Sequence, residues 1–292
     1  MKKLTKWGTG LVVAIAMMFM AGQAGAVTLG NYDTGQLVPK AYHDGSSVNT
    51  VVGITCNNAA GCHVYWTFFD NNSTHITDGM FEMTANDYQG FSWMDESGVG
   101  LEGVDGYLVF TSGVNATDTP VSTNDIFANA FYVDAAGQDA VVVPVLPINN
   151  TDYVSGTVLS SLTGTSIKSL ASGTDPGKKV DIRYWIDPAY SATTTVVLWS
   201  VCDVSDITST VDMYNDAEAR KSVNFKLINK ELNLMEPGSI QGRPEAFNDG
   251  FMRFTVPVGK CDPAETKNDM FVFSYIDSSL IGAMQTLLGG EL

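Results

Sequence analysis

The sequence predicts an all-β chain: two tandem β-sandwich domains, Ig-like or jelly-roll-like, behind an export leader. Three observations carry this. Ordered matches recur at an offset near 144 residues. Short runs of Val, Ile, Thr and aromatic residues are separated by turn formers. No long stretch shows a 3.6-residue amphipathic period.

The repeat comes first, because a missed repeat misreads the whole fold. Asp105-Gly106 opens DGYLVFT and Asp249-Gly250 opens DGFMRFT, 144 residues later. Asn124-Asp125 opens NDIFANAFYVD, and Asn268-Asp269 opens NDMFVFSYID at the same offset. TVVGITC from Thr50 parallels TVVLWSVC from Thr195, and VYWTFFD ending at Asp70 parallels VDMYND ending at Asp216, at offsets of 145 and 146. Four matches in one order indicate a tandem duplication. The domains are expected over 27–150 and 180–292, joined by a Ser/Thr/Gly-rich linker or edge segment over 151–179. Each half is expected to fold independently.

The first copy predicts strands over 37–43, 50–56, 63–70, 74–83, 89–94, 106–111, 126–134 and 140–146. The second predicts them over 180–186, 194–201, 209–214, 222–229, 231–235, 251–257, 270–276 and 283–288. Val64, Trp66 and Phe68 alternate with Tyr65, Thr67 and Phe69, a period of two that fixes register. Pro144 lacks an N–H, so it is expected at an edge or bulge. AEARKSVNF from Ala217 is the nearest approach to a helix. The Asp-Gly and Asn-Asp pairs read as turns preceding strands. A membrane barrel assembled from both halves is disfavoured by Arg253 and Lys226 in mid-strand.

Residues 1–26 have the form of a signal peptide: Lys2, Lys3 and Lys6, an apolar run from Leu11 to Met20, and a small-residue cleavage site at Ala24-Gly25-Ala26. The apolar run is too short to span a bilayer, so no transmembrane segment is expected after cleavage. The expected destination is extracellular, the cell surface or the periplasm.

Of the 292 residues, 16 are basic and 32 acidic, a net charge of -16. Residues 27–150 hold 14 acidic residues against Lys40 alone; residues 151–292 hold 18 against 12 basic. Such a surface disfavours nucleic acid, which requires cations along its phosphates. It leaves Lys40 as the sole basic guard of any strand edge in the first copy.

Cys56, Cys62, Cys202 and Cys261 form an even set in an exported chain, which permits two disulfides. Locality favours Cys56–Cys62, leaving Cys202–Cys261.

Catalytic signals are weak. His43, His63 and His75 lack metal-ligand spacing, and no G-x-S-x-G or nucleotide loop occurs. Carboxylate pairs such as Asp95 with Glu96, or Asp78 with Glu82, arise readily among 32 acidic residues. Structural calcium is best placed at Asp70, Asn72 and Asp78 in DNNSTHITDG, where turn oxygens cluster. Trp66 reads as core. Trp93, beside carboxylates at a strand end, is the candidate ligand-binding ring.

The leading expectation is a noncatalytic secreted or cell-surface protein, a structural or self-assembling subunit forming a homo-oligomer or filament through edge strands. The alternative is an extracellular carbohydrate- or ligand-binding module, recognisable by exposed rings on one sheet face. A secreted hydrolase is the least favoured.

Overall fold

Alternation decides this architecture. Strand β3 (Cys62–Asp70) carries Val64, Trp66 and Phe68 on one face and Tyr65, Thr67 and Phe69 on the other, and all six are buried. A strand buried on both faces needs a layer on each side. The computed structural model, which describes residues 29–114, 118–123, 125–265 and 267–292, supplies both layers. The leader expected over 1–26 and Asn124 lie outside the described residues.

The described chain is all-β, with four sheets. Sheet one has β1 (Gly35–Ala41), β3, β4 (His75–Met83), β6 (Gly106–Val114) and β10 (Leu146–Ile148) in the order β10-β1-β6-β3-β4, with β7 (Thr119–Pro120) beside β6. Sheet two runs β5-β2-β8-β9, built from β2 (Val48–Cys56), β5 (Tyr88–Ser92), β8 (Ile126–Asp134) and β9 (Asp139–Val143). Sheet three runs β15-β12-β17-β18, from β12 (Ala192–Ser200), β15 (Leu232–Met235), β17 (Met270–Ser278) and β18 (Ala283–Leu288). Sheet four runs β14-β13-β16-β11-β19, from β11 (Lys179–Trp185), β13 (Thr208–Asn215), β14 (Arg220–Lys226), β16 (Asp249–Thr255) and β19 (Gly290–Glu291).

Strand for strand, sheet four has the order of sheet one and sheet three that of sheet two. β1 and β11 begin at Gly35 and Lys179, β2 and β12 at Val48 and Ala192, β8 and β17 at Ile126 and Met270, each pair 144 residues apart. Register refines the sequence match. Gly53 pairs with Gly90 and Asn129, and Val197 pairs with Leu234 and Phe273, so Gly53 corresponds to Val197. The alignment of TVVGITC with TVVLWSVC is therefore one residue out, enough to swap every side chain to the opposite face.

The sheets stack in the order two, one, three, four. Trp66 and Phe110 of sheet one meet Phe91 of sheet two, while Tyr107 of sheet one meets Trp199 of sheet three. β12 divides itself between two cores. Val197 and Trp199 join the large cluster of the first half, and Val196 and Leu198 join the cluster of the second. β17 does the same, with Phe271, Phe273 and Tyr275 on one side and Met270 and Val272 on the other. The segment expected as a linker is packed into the first cluster through Tyr153, Leu159, Leu162, Ile167 and Leu170. The outer face of sheet four carries Asp181 paired to Arg253 and Asp212 to Arg220, with Arg253 lying over the stacked Tyr214 and Phe251 rings.

Several local expectations change. The strand expected over 140–146 is two: β9 ends at Val143, and β10 resumes in the other sheet beyond Pro144, whose missing N–H ends the ladder. Ala217 onward is no helix but a turn into β14, with Glu218 at positive φ. The Asp-Gly pairs are not turns. Gly106 and Gly250 lie within β6 and β16, where a side chain would run into the Phe69 and Tyr214 carbonyls. Their aspartates make corresponding ion pairs, Lys40 with Asp105 and Arg183 with Asp249. Lys40 thus guards no edge; it is buried in β1, second from the edge of sheet one.

Candidate functional site

The disulfides are Cys56–Cys62 and Cys202–Cys261, spanning 6 and 59 residues, as locality suggested. Cys202, Cys261 and Glu265 bring potential ligand atoms within 4.8 Å of one another, a cluster able to chelate a metal ion and not specific for calcium. With the sulfurs bonded to each other, only the carboxylate remains a donor; the thiolates that bind metal exist only after reduction. Asn268 braces this corner, accepting from the Cys202 N–H and donating to the Pro257 carbonyl.

Asp70, Asn72 and Asp78 are not gathered around one point. Asp70 caps the β3–β4 turn, its Oδ1 accepting from the Asn72 and Thr74 amides at 2.9 and 2.8 Å. Asp78 pairs with His75 Nε2 at 2.9 Å and stands opposite Thr67, three residues back along β3. Asp78 therefore shares the face of Thr67, while Asp70, an odd number of residues along β3, belongs to the opposite face.

Trp93 is corrected from surface to core. It opens a single helical turn, α1 (Trp93–Glu96), and is fully buried. Its indole stacks on Phe68 at 4.2 Å and meets His43 and Trp66 edge-on, because the turn tips it beneath sheet one. Trp66 is core, as expected. The histidines serve three separate places: His43 against Trp93, His63 beside Glu82, and His75 between Asp78 and the Leu162 carbonyl. No catalytic constellation is evident among the described residues.

Sheet two provides the surface that the sequence reading missed. Its outer face holds a trough of about 370 Å³ between Tyr88 and Phe131. The register explains it. Gly53 and Gly90 face each other across β2 and β5, so two adjacent positions lack side chains. The Tyr88 ring lies across Gly53, while the space above Gly90 is open for 4 Å. Tyr88 is 67% exposed and Phe131 40%. Asn129 pairs with Gly53 on its far side, and Ser92 stands on the same face of β5 two residues beyond Gly90.

The corresponding face of sheet three has Val197 and Leu234 where sheet two has Gly53 and Gly90, and it is packed against sheet one. The open face is the one from which bulk is missing. A glycine inside a strand marks close approach by another group, and that was the available signal: Gly53 in TVVGITC and Gly90 in YQGFS.

Among the described residues, no helix is long and apolar enough to cross a membrane. No protein-family model matches the sequence, and no curated protein matches it. Among solved structures, the chain is similar to the apo form of the Pleurotus ostreatus lectin, with 10% identity and a TM-score of 0.21, over 91% of this chain and 78% of that one.

Proposed function

We propose that the protein is a noncatalytic, exported carbohydrate-binding module whose site is the trough on sheet two. The carrying observation is two exposed rings beside a floor without side chains, at positions filled by Val197 and Leu234 in the other half. A pyranose is flat, with apolar C–H faces and a polar rim. Ring faces and a glycine floor receive the former; Asn129 and Ser92 are placed for hydroxyls. A neutral sugar also escapes repulsion by the acidic first half. On this reading one ancestral sandwich duplicated. The second copy's equivalent face was filled and buried, and the first kept its face for ligand.

The test is a glycan array, followed by calorimetric titration of any sugar it identifies. Gly90→Val places a side chain in open space, so folding should persist while binding is lost. Tyr88→Ala should weaken binding by up to about tenfold, the scale of a lost aromatic contact. A chain that binds no glycan on the array refutes this reading.

A second reading, a subunit joined edge to edge, has an observation of its own. β4 is an open edge with Ile76 and Met80 exposed and no lysine, whereas the corresponding β14 carries Arg220, Lys221 and Lys226. Light scattering between about 0.01 and 0.5 M NaCl tests it. A monomer throughout rejects it.

A further inference from the structure

The junction between the halves opens at one end into a cleft of about 440 Å³, remote in sequence and chemistry from the trough. Asp44, Asp105, Asp134, Glu236 and Asp277 line it against one cation, Lys40, five carboxylates to one ammonium. Its other notable lining is aromatic. Tyr132 stacks on Tyr275 with centroids 5.7 Å apart, and Tyr42 tilts against Tyr132 at 6.4 Å. Lys40 shows what these rings accommodate. Its ammonium lies 5.1 Å from the Tyr42 centroid and 5.5 Å from that of Tyr132, held by Asp105 at 2.6 Å.

Lys40 leaves part of the cleft unanswered. Asp44 and Asp134 direct oxygens at backbone amides of their own turns. Among the described residues no cation stands beside Asp277; burial, Asp139 and Asp134 raise its pKa. Among the described residues the Tyr275 hydroxyl has no hydrogen-bond partner, although the residue is only 6% exposed. An orphaned buried hydroxyl costs free energy unless a further group satisfies it.

We propose that this cleft binds an organic ammonium ion, with Asp277 as its counter-charge, Tyr275 as an acceptor and the tyrosine faces as its walls. A chelated metal fits less well. The Cys202, Cys261 and Glu265 group lies elsewhere, and among the described residues no three carboxylates of the cleft come within 4.8 Å. Dispersed carboxylates around aromatic faces suit an organic ammonium, whose charge can lie against a ring as that of Lys40 does.

The experiment is calorimetric titration of residues 27–292 with 1,5-diaminopentane, with 1,5-pentanediol as the uncharged control and CaCl₂ as the metal control. The diamine should bind and the diol should not, and calcium should leave diamine binding unchanged beyond ionic strength. Asp277→Asn should weaken diamine binding about fivefold, the scale of a partly exposed charge pair. Tyr275→Phe should also weaken it without lowering the melting temperature. Tyr88→Ala should leave it unaltered, which separates this site from the trough. Equal binding of the diol, site-specific displacement by calcium, or indifference to both cleft substitutions would each overturn the assignment.

Discussion

Tyr107 and Trp199 meet edge to face across the junction of the two halves, ring centroids 5.4 Å apart and planes at 82°. Each comes from the central part of its own half, β6 and β12, so the contact ties the interior of one to the interior of the other. Trp199→Ala should cost about 3–5 kcal/mol, as for other large core truncations. The halves should then melt in one transition shifted as a whole, in contrast to the independent folding that the repeat alone suggests. Two calorimetric transitions, with one unmoved by the substitution, would argue against this coupling.

Glu231 lies at the same junction, preceding Leu232, whose N–H donates to the Asn71 carbonyl. Burial, with smaller contributions from Asp203 and Glu265, pushes its carboxyl up to about 7. A raised acid favours its neutral form in the folded state. Its destabilisation is therefore absent below the ordinary value of 4.5, grows as pH rises through the interval, and is complete above about 7. Glu231→Gln should leave stability unchanged at pH 4 and increase it by up to about 3 kcal/mol at pH 8. Urea titrations at the two pH values measure the difference, and equal effects at both would be inconsistent with a raised carboxyl.

The disulfides close loops of very different length, 6 and 59 residues. Chain entropy assigns about 2 kcal/mol to the shorter and about 4 kcal/mol to the longer. Replacing Cys202 and Cys261 by serine should destabilise the protein more than replacing Cys56 and Cys62, by about 2 kcal/mol in denaturant titrations. The reverse order would show that local strain outweighs loop closure.

Asp70 works as a turn cap, so Asp70→Ala should cost about 1 kcal/mol with or without calcium. Thermal melts in chelator and in calcium test this. A calcium-dependent stabilisation lost in the variant would restore the ion-binding role expected from the sequence.

Strands were legible because their signal is local. The two-residue alternation of β3 and the turn residues after Asp70 follow from backbone geometry, and the boundary at Pro144 follows from one missing N–H. Which layer covers which face is not local. Tyr65, Thr67 and Phe69 look the same whether they face a sister sheet or the other half, and Trp93 resembles a surface ring until α1 tips it inward. The trough was hidden for a related reason: Gly53 and Gly90 mean little until register sets them side by side.

The stack also has a direction. Within the chain, the outer face of sheet one meets the outer face of sheet three, which are not corresponding faces of the two halves. Such a contact is head-to-tail, the kind that in separate molecules extends without limit. Here it ends after a single step. The free face of sheet four carries the Asp181–Arg253 and Asp212–Arg220 pairs where sheet one offers Leu37, Thr67 and Val109, and Arg253 lies over the Tyr214 and Phe251 rings that correspond to Phe69 and Tyr107. The opposite free face, on sheet two, has glycines where sheet three has Val197 and Leu234. Neither terminus of the pile reproduces the surface that makes the internal joint: charge overlies the rings on sheet four and bulk is missing on sheet two, so the two halves form a capped array of two units.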